Sequence, residues 1–162
     1  MRFVEEIAGM QAGPSAGSIE KFAGQTWYKI ANVDSIPPFF MTITSSSDAW
    51  NFIWSNGALT AGRKDANRAI FPYYTADKIL DLKNTTGSFS AIKVKGKDGT
   101  FVWEPYADQA EFKVERNIYK NASGSHIIFE EINKELDLVW RNEWTSSDKY
   151  GLVRICSVKN IG

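Results

Sequence analysis

The chain has 162 residues, which fits a single domain and is long enough to bury a hydrophobic core without disulfide or metal support. Its 19 lysine and arginine residues balance 19 aspartate and glutamate residues, and no basic run stands out, so we expect no nucleic-acid partner. Hydrophobic residues make up 43% of the chain, which excludes disorder throughout, and the single cysteine excludes an internal disulfide.

Residues 1–24 are predicted to be an irregular lead-in, apart from a helix candidate at Phe3 to Met10. Residues 11–24 are rich in glycine, alanine and serine and contain one proline, a composition typical of irregular chain. Glu5 and Glu6 interrupt the apolar core that a signal peptide needs, and no stretch approaches the ~20 apolar residues of a membrane span. We therefore expect a cytoplasmic protein without a membrane segment.

Short β-rich segments follow one another from Gln25 onward, at the spacing of about 8–12 residues that is typical of a sandwich or barrel. Ten strands are predicted: Thr26 to Ala31, Phe39 to Thr44, Trp50 to Ser55, Ala58 to Ala61, Phe89 to Lys95, Thr100 to Glu104, Phe112 to Tyr119, His126 to Ile132, Leu136 to Trp144 and Leu152 to Val158.

Turn residues separate these segments. Asn56-Gly57 and Asp98-Gly99 are hairpin dipeptides, because their residue types tolerate the positive φ angles that tight turns require. Asn121 to Ser125 and Ser146-Ser147-Asp148 supply two further turns.

One more helix is predicted at Thr75 to Leu82, with Thr75 as its N-cap. Neither helix candidate is long enough to form the second layer of an α/β fold. The sequence therefore predicts an all-β, antiparallel β-sandwich of nine or ten strands over residues 25–162, with one or two short helices.

Alternation along the strands indicates which side chains share a face. Trp50, Phe52 and Trp54 fall on one face of their strand, where they form either core or a ligand platform. In the segment from Phe112 to Tyr119, the face that carries Ile118 is predicted to be core and the opposite face to be solvated.

The chain lacks the residues that most catalytic and metal-binding sites require. His126 is the only histidine and is interpreted as a residue beside a turn, while Cys156 is interpreted as a small buried side chain. We expect no metal site, no cofactor and no catalytic residue, since the chain contains neither a zinc ligand set nor a glycine-rich phosphate loop.

Paired carboxylates could support glycoside hydrolysis, but the candidates are interpreted as solvated residues of strand faces. These candidates are Glu104, Glu130, Glu131 and Glu143. Glu130 and Glu131 are adjacent on one strand, so they point to opposite faces and cannot act as a pair.

The segment from Asp48 to Lys78 combines aromatic rings with arginine and asparagine. Sugar recognition uses such residues, because rings stack on C–H faces and polar groups bond hydroxyls, but domain docking favours the same types. The candidate residues for carbohydrate binding or docking are Trp50, Trp54, Asn56, Arg63, Arg68, Tyr73 and Tyr74.

Two long stretches resemble a known family. They are SSSDAWNFIWSNGALTAGRKDANRAIFPYYTADKI and IYKNASGSHIIFEEINKELDLVWRNEWTSSDKYGLVRICSVKN, and the likeness extends from about Trp27 to Asn160. The chain resembles the amino-terminal β-sandwich of large bacterial cellobiose-phosphorylase-like proteins, in which a galactose-mutarotase-like supersandwich precedes an (α/α)6 catalytic barrel. The phosphorylases carry a glycine-rich segment whose nearest match here, Ser55 to Leu59, lacks the additional glycines.

The resemblance implies a non-catalytic accessory domain of a glycoside hydrolase or phosphorylase, which packs on a C-terminal helical barrel and helps to shape its carbohydrate site. The sequence would then be a piece of a longer chain. A free-standing carbohydrate-binding module is the alternative. A mutarotase-like enzyme is a third hypothesis and would rely on His126 with Glu130 or Glu143.

Overall fold

The computed structural model describes residues 13–71, 75–96, 99–108 and 112–162. Within these residues the fold consists of antiparallel β-strands with two short helices. The strands are β1 (Ala16–Phe22), β2 (Gln25–Ala31), β3 (Phe40–Ile43), β4 (Ala49–Trp54), β5 (Leu59–Arg63), β6 (Ile92–Gly96), β7 (Gly99–Trp103), β8 (Val114–Asn121), β9 (Ile127–Asn133), β10 (Leu138–Ser147) and β11 (Gly151–Asn160). The helices are α1 (Ala76–Leu80) and α2 (Lys83–Thr86).

The strands form three antiparallel sheets. The large sheet has the order β1-β2-β8-β9-β10-β11, the small sheet has the order β3-β4-β5, and β6 pairs with β7 as a hairpin. β9 and β4 are therefore interior strands of the large and the small sheet.

The main core lies between one face of the large sheet and the inner face of the small sheet. Ile118, Phe129 and Trp140 of the large sheet belong to the same buried cluster as Ile53 and Leu59 of the small sheet. Trp103, at the end of the β6–β7 hairpin, joins this cluster. Because apolar side chains of both sheets share one interior, the all-β sandwich-like fold predicted from the sequence is confirmed.

The second face of the large sheet carries its own buried cluster. Trp27, Tyr119 and Ile128 are less than 5% exposed, and the ring of Phe22 stacks on Trp27 with centroids 4.8 Å apart. Asn117, on the same face, is fully buried. The prediction that this face of the β8 segment is solvated is therefore wrong, because long side chains of neighbouring strands cover it.

β1 corrects the prediction of irregular chain at residues 11–24. The strand pairs with β2 from Ala16 to Phe22 through a two-residue turn at Ala23 and Gly24, both of which have positive φ. Most of β1 is exposed because it lies at the edge of the large sheet. An edge strand needs no regular apolar alternation, so the pattern that predicts a half-buried strand is missing.

Several element boundaries also differ from the predictions. The helix predicted from Thr75 to Leu82 is shorter, with Thr75 preceding it, and α2 was not predicted. Ser146 and Ser147 belong to β10, so the last turn is formed by residues 148–150. The helix candidate at Phe3 to Met10 and the Asp98 half of the second hairpin dipeptide lie outside the described residues.

Candidate functional site

The outer face of the small sheet carries a row of aromatic side chains. Phe40 of β3 and Trp50, Phe52 and Trp54 of β4 form this aromatic row, and Phe40 lies opposite Trp54 in the strand register. Their neighbours Asn51 and Ile53 point inward and are at most 3% exposed. The rings predicted to share a face therefore do so, and that face is the outer one rather than the core.

Within the aromatic row, the rings pack against one another. Trp50 stacks on Phe52 with centroids 5.4 Å apart, and Phe52 stacks on Phe40 at 5.8 Å. Trp54 meets Phe40 edge to face at 5.8 Å. A sugar stacks on an exposed ring face, so a row whose rings cover one another is better suited to contact a protein surface.

Trp50 also lies against the neighbouring strand. A Cβ atom added at Gly62 of β5 would come within 2.4 Å of the Trp50 ring, so glycine is what allows this close approach. The Trp54 indole N–H donates to the carbonyl of Ala76 at 2.8 Å, which ties the row to the start of α1. The aromatic row is thus a fixed part of the small sheet.

The other predicted site residues lie around the small sheet in separate roles. Asn56 holds the β4–β5 hairpin: its amide donates to the Leu80 carbonyl at 3.2 Å, and its side-chain oxygen accepts from the Ala58 N–H at 3.0 Å. Gly57, next to it, has φ +94°, as this turn requires. The hairpin predicted at Asn56-Gly57 is present.

Arg63 and Arg68 do not come together. Arg63, at the end of β5, donates to the Asp148 carbonyl at 2.6 Å. Arg68 is exposed and lies 3.9 Å from the Asp65 carboxylate. Tyr73 and Tyr74 lie outside the described residues, so their place in a site stays a prediction.

A cavity of about 330 Å³ opens between the β4–β5 hairpin, α2 and the 104–108 loop. Its lining includes the buried aromatic rings of Tyr106, Phe129 and Trp140, which belong to the main core. Asn56 and Gly57 line it from the hairpin side. The cavity combines a buried aromatic floor with an open side.

One wall of the cavity is a hydrogen-bonded network around Ser88. Arg154 donates to the side-chain oxygen of Asn142, which orients the Asn142 amide so that its nitrogen donates to the Ser88 hydroxyl at 2.9 Å. The Trp144 indole N–H donates to the same hydroxyl at 3.0 Å. Because the oxygen accepts twice, the Ser88 proton is left to donate.

The cavity lining also carries charge. The Lys83 ammonium and the Asn84 amide both donate to the Asp108 carboxylate. The hydrogen bond from Lys83 is the main reason why the pKa of Asp108 lies below its ordinary value. Glu104 adds a second carboxylate, exposed at the cavity lining.

Glu130 and Glu131 point to opposite faces of β9, as predicted, but the prediction that they are solvated is wrong. Glu131 is 1% exposed and accepts hydrogen bonds from the Trp103 indole, the Tyr106 backbone N–H and Arg116. Glu130 is 2% exposed and accepts from Asn117, Tyr119 and Arg141. Glu130 is held by partners on the neighbouring strands β8 and β10, and Glu131 by partners on β7, β8 and the loop that follows β7, none of which the pattern of β9 alone reveals.

The hydrogen bonds to Glu130 change its pKa and that of its tyrosine partner. Burial alone would raise the pKa of Glu130, but the bonds from Asn117 and Arg141 outweigh burial and lower it. Burial, with the Glu130 charge, raises the pKa of Tyr119 well above 10. Glu130 is therefore a charged structural carboxylate rather than a proton donor at neutral pH.

His126 is oriented by a residue that is distant in sequence. Its Nδ1 atom lies 2.5 Å from the Glu143 carboxylate, and its Nε2 atom lies 3.3 Å from the Thr145 hydroxyl. His126 directly follows the turn at residues 122–125, as interpreted from the sequence, but it is also oriented, because β10 brings Glu143 next to it. Glu143 is half-buried rather than solvated.

Cys156 is exposed on β11, which corrects the prediction of a buried thiol. Its position at the edge strand leaves it open, although its sulfur accepts from the Trp140 indole N–H at 3.1 Å. In the described part of the chain, no group of three or more His, Cys, Asp or Glu side chains is placed to hold a metal ion.

Glu104 was considered from the sequence only as one of a possible carboxylate pair, and the other cavity residues outside the β4–β5 hairpin were not predicted. Lys83 and Asn84 lie on a four-residue helix, and Ser88, Phe89 and Asp108 lie on loops. Neither the short helix nor the loops have a periodic pattern. Their residues meet only because these segments close over the same end of the core.

Comparison with known proteins adds no family to this picture. No protein-family model matches the chain, and no curated protein matches it significantly in sequence. No helix among the described residues has the length and apolar character that crossing a bilayer requires.

Proposed function

We propose that this chain is a non-catalytic accessory β-sandwich domain of a carbohydrate-processing protein of the glycoside hydrolase or phosphorylase type. It packs on a catalytic helical barrel through the outer face of the small sheet and helps to shape the carbohydrate site of that barrel. The observation that carries the proposal is the aromatic row, which lies outside the core with Phe40 40% exposed.

The arrangement of the aromatic row supports docking over sugar stacking. Its rings cover one another's faces, and the Trp54 indole N–H is already bonded within the chain. Interfaces are enriched in such aromatic residues, which supply contact area without many rotatable bonds. A domain interface typically buries about 600–1,500 Å², and the aromatic row would form the centre of such an interface.

The two buried carboxylates of β9 support a non-catalytic role. Glu130 and Glu131 are both held in buried ion pairs on opposite faces of β9. Two carboxylates that act on one glycosidic bond must face the same sugar. These two residues do not satisfy that condition.

A free-standing carbohydrate-binding module is the second candidate, and the cavity beside the β4–β5 hairpin favours it. Its volume of about 330 Å³ falls in the range of about 300–1,000 Å³ that is usual for small-molecule sites. A module of this kind should bind sugar without any partner domain. The docking role instead allows weak sugar binding only.

The docking proposal is tested with the catalytic domain encoded in the same reading frame, produced separately and titrated with this chain by calorimetry. We expect a complex, and we expect Trp54→Ser to weaken it about thirtyfold or more, as for a central aromatic residue of an interface. Tyr28→Ser is the matched control, because Tyr28 is 54% exposed on the large sheet.

Three outcomes would contradict the docking role. They are a reading frame without a catalytic domain, equal loss of affinity in the Tyr28 control, and submicromolar binding of an oligosaccharide to the chain alone.

A further inference from the structure

We propose that the cavity between the β4–β5 hairpin, α2 and the 104–108 loop is a subsite for one neutral pyranose ring. The class of ligand rests on the proposed function, whereas the position and the charge preference rest on the residues that line the cavity. This cavity and the aromatic row are different surfaces, and their proposed roles do not depend on the same residues.

The floor of the cavity suits the apolar face of a sugar. Tyr106, Phe129 and Trp140 are at most 7% exposed, so their rings are held in place by the core around them. A pyranose presents axial C–H groups on one side. Because these rings pack on one another and expose so little surface, the floor offers those C–H groups an apolar contact rather than an open ring face. The volume of about 330 Å³ is at the small end for ligand sites, which fits one ring rather than a chain.

Ser88 supplies a hydrogen-bond donor whose direction is fixed. Its oxygen accepts from both Asn142 and Trp144, so its proton is available to an acceptor in the cavity. Arg154 holds the adjoining loop by donating to the Phe89 carbonyl at 3.2 Å and to the Ser90 hydroxyl at 2.9 Å. The donor is therefore in place before a ligand arrives.

The charged lining selects a neutral ligand. Two carboxylates, Asp108 and Glu104, and one ammonium, Lys83, line the cavity, and their charges sum to one negative charge. Arg116 and Arg154 bond to lining residues from outside the cavity, and the charge of Arg116 is paired with Glu131. Carboxylates accept hydrogen bonds from sugar hydroxyls but repel a phosphate or a uronate. Phosphorylated and acidic sugars should therefore bind less well than neutral hexoses.

Phe89 completes the subsite at its mouth. Its side chain lines the cavity and is 70% exposed, so the core does not need it. A ring in this position can cover a sugar from the side opposite the floor. Its removal should weaken binding while leaving the fold intact.

The test is a titration of the whole chain, labelled with ¹⁵N, with D-glucose, D-galactose and glucose 6-phosphate. We expect a Kd of roughly 1–10 mM for a neutral hexose, typical of a ligand with so few atoms. Amide shifts should occur at Ser88, Glu104 and Asp108, and glucose 6-phosphate should bind at least about tenfold more weakly.

Two variants sharpen the result. Phe89→Ala should weaken hexose binding by about threefold to tenfold, and Glu104→Lys should reduce or reverse the preference against the phosphate. Glu20→Lys is the matched control for charge, because Glu20 lies on β1, outside the cavity lining, where it forms a 3.5 Å ion pair with Lys29. It should leave both affinities unchanged.

Several outcomes would overturn the subsite: no shifts with any hexose, shifts centred on Phe40 and Trp54, or equal affinities in all variants. Those outcomes concern the cavity alone. The docking role is read out by the calorimetric titration with the catalytic domain, so the two proposals can fail independently.

Discussion

The interior strands of the two sheets, β9 and β4, handle polar and aromatic residues in opposite ways. β9 buries Glu130 and Glu131 on its two faces and supplies each with three hydrogen-bond partners. β4 buries Asn51, whose amide nitrogen and oxygen have no hydrogen-bond partner among the described residues, and turns aromatic rings outward.

The difference indicates what each strand contributes. Buried charge must be fully paired, so β9 and its neighbours fix the arrangement of the large sheet. Aromatic rings on an outer face need no such partner, so the small sheet can keep apolar surface for a second protein. We interpret β9 as a stabilising strand and β4 as the strand that presents a contact surface.

Among the changes that test this comparison, removal of the Glu131 carboxylate should have the largest effect on stability. Glu131→Ala leaves Arg116 and the Trp103 indole without their partner in a buried setting, and we expect a loss of about 3–5 kcal/mol in the free energy of unfolding. Urea denaturation measures it. The Glu20→Ala control, on the edge strand β1, should cost less than about 1 kcal/mol. A loss of that small size in Glu131→Ala would contradict the role assigned to β9.

Glu130 should make stability depend on pH. Its pKa in the folded state lies below its ordinary value of 4.5, so its contribution is present above pH 4.5 and is lost as the pH falls through the folded-state pKa. Thermal unfolding between pH 7 and acidic pH should show this loss. Glu130→Gln should be less stable at neutral pH, by about 1–3 kcal/mol, and should respond less to acid.

Asn51 gives a prediction of the opposite sign. Its buried amide lacks a partner among the described residues, so Asn51→Val should stabilise the chain by about 1–2 kcal/mol. Urea denaturation again provides the measurement, with Asn117→Val as the contrast. The Asn117 amide donates to Glu130 and Glu115, so its replacement should destabilise the chain.

Sequence patterns predicted the strands because alternation and turn residues act locally. Trp50 and Trp54 could be placed on one face by their spacing, but not on the outer face, since Ile53 on the opposite side is equally apolar. The inward direction of Asn51 runs against the usual placement of polar residues. Which face is buried depends on the second sheet, and no local pattern describes that sheet.

Only part of the candidate site could be predicted, because local patterns do not show which distant segments meet in the fold. Asn56 and the aromatic residues come from one hairpin, whereas Ser88, Glu104 and Asp108 come from loops that meet only in the folded chain. His126 and Glu143 lie on β9's leading turn and on β10, and their pairing likewise depends on strand register. Contacts across strands therefore account for most of what the sequence did not predict.

The smallest effect on stability is expected at the outer face of β3. Phe40→Ser removes a ring that is 40% exposed, and we expect a loss of no more than about 1 kcal/mol in the free energy of unfolding. Its effect on binding to the catalytic domain should be much larger than its effect on stability. If Phe40→Ser unfolds the chain, the ring is part of the core and the comparison between the two strands fails.

Hydrogen–deuterium exchange tests the central claim most directly, by comparison of this chain alone with the same residues in the larger protein that the proposal requires. The account predicts added protection in β3 and β4, at Phe40–Ile43 and Ala49–Trp54, and unchanged exchange in β9. Protection that is absent from the small sheet, or that appears on the large sheet instead, would contradict it.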